Sequence, residues 1–248
     1  MAGVRRRLDV ELVRRGLVDS RREAHDVVEA GRVLVAGAPA LKLARMVGDD
    51  EPIVIEGPPK KYVSRGGEKL QGALDAFAID VAGLRVLDVG ASTGGFTDCL
   101  LQRGATHVVA LDVGHGQLHP KLRDHPQVTV IERTNIRHAD LPALGAPFDL
   151  VVADLSFISL TVVADALVAA AGPGGQMVLL IKPQFEAGKA DVSRGKGIIS
   201  DPELHARACS DVAAALAERN AQVIGQIESP IKGGQGNVEF LVHVRVSA

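Results

Sequence analysis

The chain has 248 residues, 46% of them hydrophobic and 23% charged, enough for one large domain plus a small one. Its net charge is −2, and its purely apolar runs are short, Met177–Ile181 being typical, so neither a polybasic protein nor a membrane-spanning one is indicated. The N-terminus has three consecutive arginines and no apolar segment, unlike a signal peptide, and the chain reads as cytoplasmic and soluble.

Charge is unevenly spread. Residues 1–45 carry ten Arg or Lys against six Asp or Glu, so the remainder is net acidic. A basic head on an acidic body suits a polyanion held by the head, and equally a pair of surface helices laced with ion pairs. The two cysteines, Cys99 and Cys209, lie far apart in helix-like patterns without a CxxC or a His cluster. They are expected to be buried free thiols, and no metal site is expected.

In chain order, Arg6–Arg15 has the spacing of a helix with Leu8, Leu12 and Val13 on one side, and Gly16 ends it. Ser20 with Glu23 three residues on forms a capping box for a second helix reaching about Ala30. Val33, Val35 and Gly37 suggest a strand and hairpin, with Ile53–Ile55 a later strand. Residues 1–57 thus form a small α+β unit. The prolines after Gly57 mark a linker over 58–64, and 65–248 is the large domain, opening with an amphipathic helix to about Phe77.

From Gly83, apolar strands at Arg85–Val89, His107–Leu111, Val128–Ile131, Leu150–Ala153 and Met177–Ile181 alternate with helical segments. This rhythm predicts an α/β fold, a parallel sheet covered by helices on both faces. Two further strands, Gln222–Ile227 and Val238–Val246, are joined too closely for a helical crossover, so the last must enter antiparallel. A parallel sheet closed by an antiparallel strand is the arrangement of Rossmann-like methyltransferases.

Asp88-Val89-Gly90-Ala91-Ser92-Thr93-Gly94-Gly95-Phe96 ends one strand and opens a helix. Its glycines allow a ligand close to the backbone, and the helix N-terminus favours a negative group such as a methionine carboxylate. Asp112 closes the next strand and is placed to accept from ribose hydroxyls. Ser92 stands where GxGxxG has its second glycine, which disfavours a dinucleotide. Asn135, after the third strand, could face an adenine or simply form a turn.

Lys182 ends the fifth strand and Asp154 the fourth, both at the carboxyl edge where open α/β sheets place their chemistry. Glu239 begins the last strand and Lys69 begins the helix before the first. The stretch Asp154-Leu155-Ser156-Phe157 lacks the paired prolines usual in amino-group methyltransferases. Four charged groups could therefore converge on one rim, although each alone could be a solvated element end.

Arg65-Gly66-Gly67-Glu68-Lys69-Leu70, Asp88–Phe96, Asp154–Leu160 and Lys182–Glu186 together resemble the TlyA family, known both as hemolysin A and as 16S/23S rRNA (cytidine-2′-O)-methyltransferases. The resemblance covers essentially the whole chain. It implies S-adenosylmethionine as cofactor and an FtsJ-like catalytic domain whose Lys-Asp-Lys-Glu tetrad falls on Lys69, Asp154, Lys182 and Glu239. From the loop and strand ends, Asp88, Gly90, Ala91, Ser92, Thr93, Gly94, Gly95, Phe96, Asp112 and Asn135 are the expected cofactor contacts. The first unit is similar to S-four-like (alpha-L) RNA-binding domains, with Ala36 where an Asn often precedes the glycine.

Ribosomal RNA within ribosomal subunits is the implied partner, and no protein partner is identified. Arg5, Arg6, Arg14, Arg15, Arg21, Arg22, Arg32 and Arg65 are the expected phosphate contacts. With no Trp and a single Tyr, stacking on single strands is poorly served, which favours a folded RNA target. The basic, glycine-rich segment Gly188–Gly197 is read as a lid, an RNA contact or a plain loop. The rival readings are a membrane-lytic protein, a noncatalytic RNA binder with a methyltransferase fold, and a base methyltransferase.

Overall fold

The computed structural model describes residues 4–18, 20–58, 60–187, 197–233 and 236–248, with Arg22 described by its backbone alone. Most of the expected segment Gly188–Gly197 therefore lies outside the described residues. The chain divides into two compact units, Met1–Pro59 and Lys60–Ala248. Among the described residues no helix is long and apolar enough to cross a membrane.

The first unit contains β1 (Arg5–Arg7), α1 (Leu8–Arg14), α2 (Arg21–Glu29), β2 (Val33–Val35), β3 (Ala38–Pro39), β4 (Met46–Gly48) and β5 (Ile53–Ile55). The expected helix over Arg6–Arg15 is corrected at its start. Arg5–Arg7 pair antiparallel with Met46–Gly48, and the helix begins only at Leu8, whose amide donates to Arg45 O at 2.8 Å. A ladder to residues forty positions away outweighs local helical spacing. Ser20 caps α2 by accepting from Glu23 N. The hairpin between β2 and β3 turns through Ala36 and Gly37, at φ 51° and 78°. Leu8, Leu12, Val27, Val28, Val33 and Val47 form the core.

The second unit continues with α3 (Gly66–Ala76), β6 (Arg85–Val89), α4 (Gly95–Gln102), β7 (His107–Leu111), α5 (Pro120–Arg123) and β8 (Val128–Ile131). After a 3-10 turn at Ile136–His138 come α6 (Leu141–Leu144), β9 (Leu150–Ala153), α7 (Leu160–Ala171), β10 (Gln176–Ile181) and α8 (Pro183–Glu186). The chain closes with α9 (Pro202–Ala217), β11 (Ala221–Glu228) and β12 (Phe240–Val246). The seven strands run in the order β11-β12-β10-β9-β6-β7-β8. Strands β6 to β10 are mutually parallel, and β12 enters antiparallel between β10 and β11. This is the methyltransferase-like α/β sheet. The final strand starts at Phe240 rather than Val238, so Glu239 sits one residue before it.

Apolar runs on both faces of β6, β9 and β10 explain their burial, since helices cover each side. Both cysteines are free and buried. Within the stretch expected as linker, the Tyr62 ring is buried in the second unit's core, and Val63 N donates to Asp98 Oδ2 at 2.8 Å.

Candidate active site

Sheet register assembles the carboxyl edge. Ile181 pairs with Phe240 across the antiparallel β10–β12 ladder, which puts Lys182 and Glu239 side by side just beyond it. Leu179 pairs with Ala153 in parallel register, so Lys182 comes level with Ser156. Asp154 N donates to Val89 O at 3.1 Å, which sets Asp154 beside Gly90. Lys69 lies in the first turn of α3, which packs on β12.

Two lysine–carboxylate pairs result. Lys69 Nζ donates to Glu239 Oε2 at 2.5 Å. Lys182 Nζ lies 2.5 Å from Asp154 Oδ1 and donates to Ser156 Oγ at 3.0 Å. Lys69, Lys182 and Glu239 are buried, whereas the Asp154 side chain is 22% exposed. Isolated charges of this kind would be costly in so dry a place, and pairing offsets the cost. All four expected tetrad residues are brought into these two pairs. Ser156 was not anticipated, because its role follows from register rather than from residue type.

The glycine loop is tighter than its composition suggests. Gly90, Ser92 and Gly94 have φ of 84°, 48° and 99°. A Cβ on Gly90 would stand 2.6 Å from Asp154 O, so glycine there lets the glycine loop and the Asp154 loop touch. Gly94 closes on Leu118 and Leu122, and Gly95 on Ser64 and the Gly66–Gly67 backbone. These glycines serve contacts within the protein. Ser92 and Thr93 are exposed at the tip, while Ala91 is buried at the edge of the cleft described below.

Two expected cofactor contacts are corrected. The Phe96 ring is buried in the core with Leu70, Leu100 and Val108, because it lies on the inner face of α4. Asp88 is fully buried beneath the loop, where Thr97 Oγ1 donates to its Oδ2 at 2.6 Å. Burial pushes the Asp88 carboxyl up to about 7, against the Thr97 hydrogen bond and with a further push from Asp154. Its Oδ1 has no hydrogen-bond partner among the described residues.

Asp112 accepts from Ser92 N at 2.8 Å through Oδ2 and from Gly114 N at 2.6 Å through Oδ1. Beside it opens a shallow cleft with aliphatic walls from Ala91, Ala110, Leu118 and Val130. Asp112, Gln117 and Glu132 supply its polar groups. Glu132 accepts from Gly116 N, the His115 ring and Arg123, and the Arg123 contact foremost holds its carboxyl down at about 2. Gln117 and Glu132 were missed in the sequence, although Glu132 directly follows β8. Asn135 Oδ1 caps the turn Ile136–His138 by accepting from Arg137 N at 3.0 Å, so its acceptor serves the backbone.

Aliphatic walls with carboxylates at the rim suit a nucleoside, whose base needs apolar faces and whose ribose offers hydroxyl donors. The residues present therefore fit S-adenosylmethionine.

In the first unit, Glu11 is completely enclosed and accepts from Arg14 and Arg15, while Asp49 receives Arg6 and Arg14. Arg15 also donates to the Gly48 and Glu51 carbonyls, and its side chain is only 20% exposed. Arg5 pairs with Glu51, and Arg32 donates to the Glu56 and Pro58 carbonyls. Arg21 is exposed, and so is Arg65, which has no partner among the described residues. The basic head is thus also a scaffold of internal ion pairs.

Comparison with known proteins agrees with this architecture. The profile of the FtsJ-like methyltransferases matches residues 62–246, and that of the S4 domain matches residues 6–53. The chain is 51% identical to the 16S/23S rRNA (cytidine-2′-O)-methyltransferase TlyA of Mycobacterium tuberculosis, over 97% of this chain and 90% of that one. It is 41% identical to Hemolysin A of Brachyspira hyodysenteriae, over 96% and 98%. A Streptococcus thermophilus protein whose structure was provisionally described as a hemolysin superposes with a TM-score of 0.78 at 38% identity, covering 99% of this chain and 90% of that one. The chain therefore belongs to the FtsJ-like methyltransferase family, as a TlyA relative that carries an S4 domain ahead of an S-adenosylmethionine-dependent catalytic domain.

Proposed function

We propose that this protein is an S-adenosylmethionine-dependent ribosomal RNA methyltransferase acting on a ribose 2′-hydroxyl, with cytidine as the nucleotide and a ribosomal subunit as the substrate. The observation that carries this reading is the pair of buried lysine–carboxylate contacts, Lys182–Asp154 and Lys69–Glu239, at the sheet edge next to the Asp112 cleft. An aliphatic hydroxyl needs its developing negative charge stabilised, which a fixed ammonium can do. A planar base nitrogen needs no such cation.

The cofactor supplies an electrophilic methyl group. Asp112 and the Asp88–Phe96 loop hold it, with Ser92 N and Gly114 N fixed on the Asp112 carboxylate. Asp154 and Ser156 orient Lys182, which meets the hydroxyl oxygen either as a stabilising cation or, after losing a proton, as its base. Lys69 and Glu239 keep the neighbouring charge balanced and hold the ribose. Alignment of the reacting atoms at about 3–3.5 Å contributes roughly 7–11 kcal/mol to the acceleration. Arg5, Arg6, Arg14, Arg21 and Arg32 of the first unit, with Arg65 of the second, contact RNA phosphates, whereas Arg15 chiefly braces the first unit.

The test is transfer of tritiated methyl from S-adenosylmethionine to purified ribosomal subunits, followed by nuclease digestion and mapping. Label at a cytidine 2′-oxygen, lost in Lys182→Ala, is expected. Label on a base, or none on either subunit despite cofactor binding, would overturn the assignment.

A further inference from the structure

Lys182 and Asp154 stand on different loops, one leaving β10 and the other leaving β9. Their contact brings the front of these loops together. Behind it a second link joins the same loops. Lys182 is the N-cap of α8, and its carbonyl accepts from Phe185 N at 2.8 Å and Glu186 N at 3.3 Å. The Glu186 side chain then reaches back across 26 positions to the start of α7. There Oε1 accepts from Leu160 N at 2.9 Å, and Oε2 accepts from Ser159 Oγ. Ser159 is itself the N-cap of α7 and accepts from Thr161 N at 3.1 Å.

We infer that Glu186 is a positioning residue for methyl transfer: it rivets the turn after Lys182 to the N-terminus of α7, so that the loops bearing Lys182 and Asp154 are fixed at two points. The inference rests on the proposed chemistry at Lys182.

Three features make the link more than an ordinary helix cap. Residues 182–187 form one closed turn, since Ala187 N also donates to Pro183 O at 2.8 Å, so a displacement at Glu186 is passed to Lys182. The Asp154–Ser159 segment has no regular structure, and Phe157 within it takes φ 66° while 90% exposed, so burial of that residue does not fix the segment. Glu186 anchors the far end of that segment. The carboxylate is also set in the protein rather than in water: burial pushes its pKa up, opposed by the Leu160 and Ser159 hydrogen bonds. A lysine nitrogen that must meet a hydroxyl oxygen is sensitive to such anchoring, because a misplacement of about 1 Å can cost roughly 100-fold in rate.

The experiment compares wild type, Glu186→Ala and Glu186→Gln in single-turnover and steady-state methyl transfer, with active protein counted by S-adenosylmethionine titration. Gln keeps a carbonyl that can accept from Leu160 N, and Ala keeps nothing. Glu186→Ala is expected to lower kcat per cofactor-binding site by about 10- to 100-fold, with cofactor Kd and RNA KM unchanged. Glu186→Gln is expected to restore most of that loss. Equal kcat per site in all three proteins would overturn the inference, as would a loss in Glu186→Ala explained entirely by fewer cofactor-binding sites. If instead the wild type itself transfers no methyl to a ribose, the proposed function fails, which is a different result from an active wild type indifferent to Glu186.

Discussion

Lys182 and Glu239 come side by side where β10 ends and β12 begins, yet they do not pair with each other. Glu239 takes Lys69 from a helix 170 positions earlier, and Lys182 takes Asp154 from the next strand. The edge of the sheet therefore carries two separate cation–carboxylate units.

Lys182→Ala removes the cation proposed to face the hydroxyl. Methyl transfer is expected to fall by about 10²- to 10⁴-fold in kcat, while calorimetric titration finds S-adenosylmethionine binding intact. A loss of cofactor binding alongside activity would place Lys182 in the cofactor site instead.

Lys69→Ala leaves Glu239, with its side chain only 3% exposed, without its cation. Breaking a buried pair costs about 3–5 kcal/mol, so the urea midpoint should drop sharply. Replacing both partners with apolar residues, Lys69→Met with Glu239→Leu, should recover much of that stability without recovering activity. If the double variant were as unstable as the single one, packing rather than charge would hold this corner.

Asp112→Ala frees Ser92 N and Gly114 N together. Each charge-assisted hydrogen bond is worth about 1.5–3 kcal/mol, so cofactor affinity should weaken at least tenfold by titration calorimetry. An unchanged Kd would remove the Asp112 cleft from the cofactor site.

Glu11 links the first unit's stability to acid. Its hydrogen bond from Arg14, with help from Arg15 and against the effect of burial, lowers its pKa from 4.5 to about 2. The unfolded chain thus takes up a proton first, so this stabilisation is complete above about pH 4.5 and is lost as pH falls toward 2. In thermal melts, wild type should exceed Glu11→Gln at neutral pH, with the gap narrowing through that window. A constant gap would mean that Glu11 acts through shape alone.

Ala36 occupies left-handed backbone at the first position of a two-residue hairpin turn, next to Gly37. Asn tolerates that conformation better, so Ala36→Asn should raise stability by about 0.5–1 kcal/mol in denaturant unfolding. Destabilisation would point to a close contact at the turn that favours the smaller side chain.

Much of this architecture was written locally in the chain. Strands β6, β7 and β9 start and stop where apolar runs meet glycines and charged residues, because a strand buried on both faces leaves little choice of residue. Ser20 capped its helix for a similarly local reason: its hydroxyl lies within reach of the Glu23 amide. The antiparallel entry of β12 followed from a connection too short to cross the sheet.

Other features were decided only when distant segments met. Arg5–Arg7 became a strand because Met46–Gly48 offered a ladder. Phe96 turned inward because one face of α4 packs on the sheet, and Arg15 spent its donors on the carbonyls of Gly48 and Glu51. The partners of Lys69 and Lys182 depended on strand register, which places Ser156 and Glu239 beside Lys182 with no sign of it in local spacing. Local residue patterns limited which charged residues could reach the carboxyl edge. Which ones pair there was decided by tertiary structure, because register is set by many weak contacts summed along whole strands and not by the residues that react.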